Sequence, residues 1–427
     1  MRIQDLAGKN VCILGFGKEG KAMAEALEKY APTAEITIAD KDEKIEVKNP
    51  KYWKQIGSGW LENLNKFDVV IKSPGVPPQK EFKTYAEKIT TSTQIFFDSI
   101  EGTGATVIGV TGSKGKSTTS SLLYAILKAG KKDVFFVGNI GEAAVLHIKD
   151  AKSGTLFVFE MSSYQLSELT VSPHIAVLTS FFTEHLDYHG TLEAYREAKA
   201  NITRHQKKSD IVFYHSAFPV CKELALLSPG TKVGTTEKDA PVTIEETKLV
   251  GKHNLGNIAL AWKVAESLGV DKKIAIEAIK NFTPLPHRLE TVAATGSIQW
   301  INDSISTTPE SAIVALDTLG DAVQTMILGG QDRGYNFVPL AERLSKSNVQ
   351  TVVLLAESGK TIGELLKKYA PKIKLVDAAN MKDAVKAAAS APEGSIVLLS
   401  PASPSYGLFK NFEDRGDQFR AEVAKFG

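Results

Sequence analysis

The feature that most constrains this chain is the run Thr111-Gly112-Ser113-Lys114-Gly115-Lys116-Ser117-Thr118. It stands between the β-branched stretch Val107-Ile108-Gly109-Val110 and a helical pattern carrying Leu122, Leu123, Ile126 and Leu127 on its apolar positions. Strand, glycine-rich turn and helix in that order set backbone N–H groups at a helix N-terminus, where they cradle phosphate. In such a P-loop Lys116 reaches the β and γ phosphates of a nucleotide and the Ser117 hydroxyl binds Mg²⁺. The run departs from the common spacing, because Val110 stands where the first glycine is usual and Gly112 lies three residues before Gly115. A strand feeding such a loop belongs to a parallel sheet covered by helices.

The same alternation of short apolar strand, turn and helix recurs along all 427 residues, in three blocks. Glu101-Gly102-Thr103-Gly104 reads as a linker, and Pro284-Leu285-Pro286 breaks both helix and strand and so marks a hinge. The expected fold is α/β with three domains of mainly parallel sheet flanked by helices: a Rossmann-like domain over 1–102, a P-loop ATPase domain over 103–286 and a Rossmann-like domain over 287–427. Strands are expected at Val11–Leu14, Ile36–Ala39, Val69–Ile71, Leu156–Phe159, Ile175–Ser180, Thr325–Leu328, Val352–Leu355 and Ile396–Leu399.

The first block carries Gly15-Phe16-Gly17-Lys18-Glu19-Gly20 between a strand and a helix, and its second strand ends in Asp40. Taken literally, this G-x-G-x-x-G with a later acid is a dinucleotide site, with the acid on a ribose hydroxyl; a tight turn without ligand has the same sequence. Ser73-Pro74-Gly75-Val76-Pro77-Pro78 then places a rigid loop at the carboxyl end of the same sheet. In the second block Glu160 closes an apolar strand at the P-loop edge, where a role on Mg²⁺ is favoured; without the P-loop a solvated strand end would be the plainer reading. Glu184-His185-Leu186-Asp187-Tyr188-His189 offers a second metal its ligands, or is simply a polar loop. Thr191 caps a helix on which Leu192, Tyr195, Lys199 and Ile202 share a face. A lysine there is neutral and nucleophilic, or paired, or reaches solvent with its head.

Composition narrows the function classes. The 51 basic and 49 acidic residues leave a net charge of +2, which favours neither nucleic acid nor a membrane surface. Two cysteines, Cys12 and Cys221, form no disulfide framework, and no apolar run is long enough for a leader core or a membrane span. A cytoplasmic monomer without nucleic-acid or membrane partners is expected.

The order of these motifs resembles the Mur ligase family, the ATP-dependent amide-forming enzymes of peptidoglycan assembly. The resemblance rests on Thr111–Thr118, Glu160–Leu166, Glu184–Asp187, Tyr195–Lys199, Gly251–Asn257, Leu285–Glu290, Asn302-Asp303-Ser304, Leu399–Ala402 and Phe409–Gly416, and so covers the whole chain. The tail and short first domain look most like the branch that adds glutamate to UDP-N-acetylmuramoyl-L-alanine.

Several expectations follow from the resemblance. Gly15, Gly17, Lys18, Glu19, Gly20, Asp40, Ser73, Gly75, Asn139 and His185 hold the UDP-sugar. Gly112, Ser113, Lys114, Gly115, Lys116, Ser117, Thr118, Asn254, Asn257, Arg288 and Asp303 hold ATP. Lys199 is carboxylated by CO₂ to a carbamate, and Ser117, Glu160, His185 and the modified Lys199 bind two Mg²⁺ ions. Lys116, Glu160, His185 and Lys199 are the catalytic set. Thr307, Arg333, Ser405 and Phe412 meet the amino acid. Ile305 and Arg333 stand where this branch usually has lysines, so an acidic acceptor is expected, D-glutamate first. L-glutamate is the alternative, because Ser304–Pro309 also resembles a variant branch. An NAD-dependent oxidoreductase, a P-loop kinase and a non-catalytic scaffold are the rival classes.

Overall fold

The computed structural model describes residues 1–295 and 298–426. Its first sheet comprises β1 (Asn10–Leu14), β2 (Glu35–Asp40), β3 (Trp53–Ile56), β4 (Val69–Lys72) and β5 (Ile89–Thr91). They lie in the order β3-β2-β1-β4-β5, with every pairing parallel. The strand order reverses between β1 and β4, so the loops Gly15–Gly20 and Ser73–Pro78 face the crevice at a topological switch point.

The second sheet holds β6 (Thr106–Thr111), β7 (Val134–Gly138), β8 (Leu156–Glu160), β9 (Ile175–Leu178), β10 (Ile211–His215) and β11 (Thr231–Thr235). Its order is β11-β10-β9-β6-β8-β7, again wholly parallel. Being covered on both faces, β6 and β8 read as nearly continuous apolar runs. β6 lies between β8 and β9, which brings Glu160 and Thr179-Ser180 to either side of the P-loop.

These two sheets form one compact unit, Met1–Thr247 with His253–Phe282. The reason is a shared core. The helix Ser92–Ile100 drives Phe96 into the second sheet, where its ring lies 5.2 Å from Phe157 and 5.8 Å from Phe159, and Phe97 stacks on Phe159 at 6.2 Å.

The other unit, Lys248–Lys252 with Thr283–Gly427, holds β12 (Glu290–Thr295), β13 (Ile298–Asn302), β14 (Val323–Gly329), β15 (Thr351–Leu355), β16 (Lys374–Ala378) and β17 (Ile396–Leu399). The order is β12-β13-β17-β14-β15-β16, parallel except for the antiparallel pair β12 and β13. Alternation along β14 splits the core: Met326 and Leu328 pack with Leu340, Leu344 and Ile362 on one face, Ile327 with Met381, Val385 and Phe419 on the other.

All eight expected strands are present, within two residues at each end. The edge strands β3 and β11 escape the sequence pattern because an edge need not be apolar: Trp53 is 71% exposed, and β11 reads Thr-Lys-Val-Gly-Thr. The segment after His185, read as a loop, closes into the short helix Leu186–His189. Among the described residues no helix is long and apolar enough to cross a membrane.

Candidate active site

The P-loop is shaped by what its glycines must avoid. A Cβ on Gly112 would stand 2.0 Å from Thr179 Oγ1, and one on Gly115 would stand 2.3 Å from Asn257 Oδ1; Gly115 also has φ +85. Asn257 belongs to the helix Asn254–Ser267, accepts from Thr119 Oγ1 at 3.2 Å and donates to Asn254 Oδ1 at 2.8 Å. The expected asparagines therefore buttress the loop from behind. Ser113 Oγ exchanges a hydrogen bond with Tyr195 Oη at 2.8 Å and accepts from Phe182 N. Lys114 pairs with Glu184 at 2.7 Å. Lys116 starts the helix Lys116–Ala129 and donates Nζ to the carbonyls of Gly112 and Ser113, both at 2.8 Å. Ser117 and Thr118 are buried in its first turn.

Lys199 lies on the helix Leu192–Arg204, capped by Thr191 Oγ1 as expected. It is 2% exposed, and its Nζ donates to Gly112 O at 2.9 Å, with Thr111 Oγ1 at 3.4 Å. Burial first, then the charge of Lys116, push its pKa well below 10.5. The amine is thus held beside the P-loop, not carried to solvent. Tyr195 and Ile202 share its buried face, whereas Leu192 is exposed.

Glu160 ends β8 with no exposure, taking a hydrogen bond from Asn139 Nδ2 at 2.9 Å and one from Ser120 Oγ at 3.3 Å. Ser120 stands one turn beyond Ser117, so this carboxylate faces the start of the P-loop helix. Mg²⁺ is ordinarily held by one or two carboxylates and substrate phosphates, and the Ser117 and Glu160 oxygens fit that donor set. His185 is exposed, at φ +58, with Nδ1 2.9 Å from Tyr164 Oη. Its ring joins those of Tyr164, Tyr188, His189 and Tyr195 in one aromatic cluster. The Asp187 side chain lies outside the described residues.

At the first sheet, a Cβ on Gly20 would stand 2.1 Å from the Gly15 carbonyl, and Gly15 itself is at φ +89, while nothing lies within 4 Å of such an atom on Gly17 or Gly75. Ser73 Oγ ties the second loop to Gly15 O at 2.7 Å. Asp40 accepts from Phe16 N at 2.7 Å and so holds the glycine loop itself. Glu19 accepts from Ser92 Oγ and Gln165 Nε2, and Lys18 Nζ donates to Gly141 O at 3.0 Å. Lys18 and Glu19 thus lean on neighbouring segments of the same unit.

Arg288, Asp303, Thr307, Arg333, Ser405 and Phe412 all belong to the other unit. Asp303 accepts from Ser306, Ser400 and Leu289 N, and burial lifts its pKa from 3.8 to about 6. Arg288 Nε is buried, with no hydrogen-bond partner among the described residues. Arg333 is exposed, its guanidinium 5.8 Å from the Tyr406 ring, next to buried Ser405. Phe412 O accepts from Ser304 Oγ at 2.7 Å, whereas Phe409 and Phe419 are core. Sequence reasoning gave Arg415 no role. It is fully buried and donates to Ser304 Oγ, Ser304 O and Ser403 O, fastening the turns after β13 and β17 together. The only sequence signal for it was its place in Phe409–Gly416.

The Mur ligase middle domain matches residues 110–239, and the Mur ligase glutamate ligase domain matches 287–403. A UDP-N-acetylmuramoyl-L-alanine–L-glutamate ligase of Salinispora tropica is 33% identical, covering 99% of both chains. A UDP-N-acetylmuramoylalanine–D-glutamate ligase of a Geobacillus species is 34% identical, covering 98% of both. Among solved structures, a MurF ligase of Thermotoga maritima in complex with ADP superimposes with a TM-score of 0.63 at 20% identity, covering 100% of this chain and 97% of that one. A folylpolyglutamate synthase of Mycobacterium tuberculosis covers only 79% of this chain, at a TM-score of 0.57 and 14% identity.

Proposed function

The chain belongs to the Mur ligase family, and from that premise we propose that it joins glutamate to the alanyl carboxylate of UDP-N-acetylmuramoyl-L-alanine at the expense of ATP. The observation that carries the reading is the buried Lys199 amine set against the carbonyl of Gly112 in a P-loop, its pKa pushed down by burial. Burial lowers the pKa of a lysine readily, and an amine so lowered is the form that takes up CO₂ to give a carbamate.

In this reading the alanyl carboxylate attacks the γ-phosphorus, the bond to ADP breaks, and an acyl phosphate results. The amine of glutamate attacks that carbonyl, an amide forms, and phosphate leaves. Lys116 moves from its loop carbonyls to the transferring phosphoryl group, where its charge is worth most as the transition state spreads negative charge. The P-loop N–H groups hold the remaining phosphates. Ser117 and Glu160 would hold one Mg²⁺, and His185 with a Lys199 carbamate a second; such ions offset phosphate charge and orient the attacking carboxylate. Gly15, Gly17, Gly75 and Asn139 surround the UDP-sugar, and Arg288 and Asp303 complete the ATP contacts. Arg333, with Thr307, Ser405 and Phe412, receives the acceptor, a guanidinium taking a carboxylate bidentately where lysine offers a point charge.

D-glutamate remains the first reading for the acceptor. L-glutamate is the second reading: relatives of nearly equal identity carry each name, Ile305 and Arg333 depart from the D-glutamate branch, and the run Ser304–Pro309 resembles the variant one. Phosphate release with the UDP-sugar, ATP and Mg²⁺ tests both, compared across D-glutamate, L-glutamate, D-aspartate and L-lysine. A preference for lysine overturns the Arg333 carboxylate pocket. A preference for L-glutamate reverses the stereochemistry alone. Release independent of any amine points to a kinase.

A further inference from the structure

The loop Ser73–Val76 is fastened by Lys72 of its own sheet and by Tyr188 of the short helix Leu186–His189. Lys72, the buried last residue of β4, donates Nζ to Val76 O at 3.0 Å and pairs with Glu168 at 3.3 Å. The Tyr188 hydroxyl reaches two carbonyls of the same loop, Pro74 O at 3.0 Å and Val76 O at 3.2 Å. Burial pushes the Tyr188 phenol up to about 12, so it stays protonated and able to donate.

Tyr188 is also part of the turn that carries His185. Its backbone N–H donates to His185 O at 3.2 Å, and His189 N does so at 3.0 Å. Its ring lies 4.1 Å from that of Tyr164, whose hydroxyl meets His185 Nδ1. His185 itself sits in the left-handed region, a conformation that a non-glycine residue keeps only where its surroundings over-determine it.

We propose that Tyr188 is a positioning residue that couples the nucleotide-sugar loop Ser73–Val76 to the placement of His185. The inference rests on reading Ser73–Gly75 as the loop that receives the diphosphate. The mechanical link is the peptide plane. The carbonyl of Pro74 and the N–H of Gly75 belong to one planar unit and point in opposite directions. Anchoring that carbonyl on Tyr188 therefore aims the Gly75 N–H away from Tyr188, as a donor for a phosphate. A phosphate that fixes this N–H in turn fixes the carbonyl, the Tyr188 hydroxyl and the turn behind it. Coupling of this kind is reciprocal: whatever orders the His185 turn strengthens binding at the loop by the same factor.

Hydrogen exchange on the full chain, with UDP-N-acetylmuramoyl-L-alanine as probe, tests the link. In the wild type the probe should slow exchange in peptides covering 73–78 and also 185–190. In Tyr188→Phe, which keeps the ring against Tyr164, it should slow the first peptide only. Losing the one hydroxyl should raise the KM for the UDP-sugar about tenfold and leave the KM for ATP unchanged. Protection of 73–78 without 185–190 in the wild type overturns the coupling and leaves the loop assignment standing. Protection of neither overturns both. A Tyr188→Phe variant that protects both peptides as the wild type does removes the hydroxyl from the link.

Discussion

Lys116 and Lys199 place two amines on one carbonyl, that of Gly112, at 2.8 and 2.9 Å. Lys199 is the deeper of the two, and burial first, then the charge of Lys116, push its pKa well below 10.5. Lys199→Ala should therefore lower ligase turnover by at least about 100-fold, and Lys199→Met, which keeps the packing stem, should do the same while folding normally. Phosphate release and a thermal melt check the two halves; full activity in either variant removes Lys199 from catalysis. Asp303 gives a pH signature. Its folded pKa of about 6 lies above its ordinary 3.8, so its contribution to stability is complete below 3.8 and is lost as pH rises through 6. The wild type should lose melting temperature relative to Asp303→Asn between about pH 4 and about pH 6.5. An unchanged gap would mean that Asp303 ionises freely. Residues of this kind differ in how well the sequence announces them. Lys199 shows as a cation on an apolar face, and Glu160 as an acid closing an apolar strand. Arg415 shows as nothing: its burial depends on a turn at Ser304, more than 100 residues away in the chain and met only in the fold.

At the scale of an element, the two glycine loops separate chain geometry from ligand geometry. Gly20 is required by its own fold, since a Cβ there meets the Gly15 carbonyl at 2.1 Å. Gly20→Ala should cost about 2–3 kcal/mol by denaturant titration, because helix and strand must part. Gly17 has φ −72 and open space around it, so Gly17→Ala should alter stability by less than about 0.5 kcal/mol. If its glycine serves the approach of a diphosphate, the same variant weakens UDP-sugar binding in calorimetry, and unchanged affinity would strip Gly17 of that role. This division explains what was legible. Central strands such as β6 and β8 are buried on both faces and show as apolar runs, whereas β3, β11 and the β12–β13 pair do not. The motif Gly15–Gly20 announces a phosphate-binding turn but not which nucleotide, for the physics of a diphosphate at a helix N-terminus is common to NAD and a UDP-sugar.

At the scale of the molecule, the boundary near Gly102 is a linker in sequence and a continuous core in space. Phe96 and Phe97 belong to the first sheet's last helix, yet they pack on Phe157 and Phe159 of the second sheet. A fragment 1–282 should melt in one cooperative transition, whereas 103–282 alone, with those phenylalanine partners stripped away, should expose apolar surface and aggregate. Calorimetry of both fragments decides this, and a well-folded 103–282 would mean that the sheets are separable. The sequence concealed the union because the linker is polar and glycine-rich, while the aromatic contacts cross some 60 positions of chain. The shared core also bears on descent. A crossover between two relatives at Glu101–Gly104 would bring together halves of two cores that had never been selected to fit, whereas one near Pro284 would exchange a unit with its own two apolar layers intact. Inheritance should therefore keep the first and second sheets together as one transmissible piece, and leave the other unit the freer to be reshuffled.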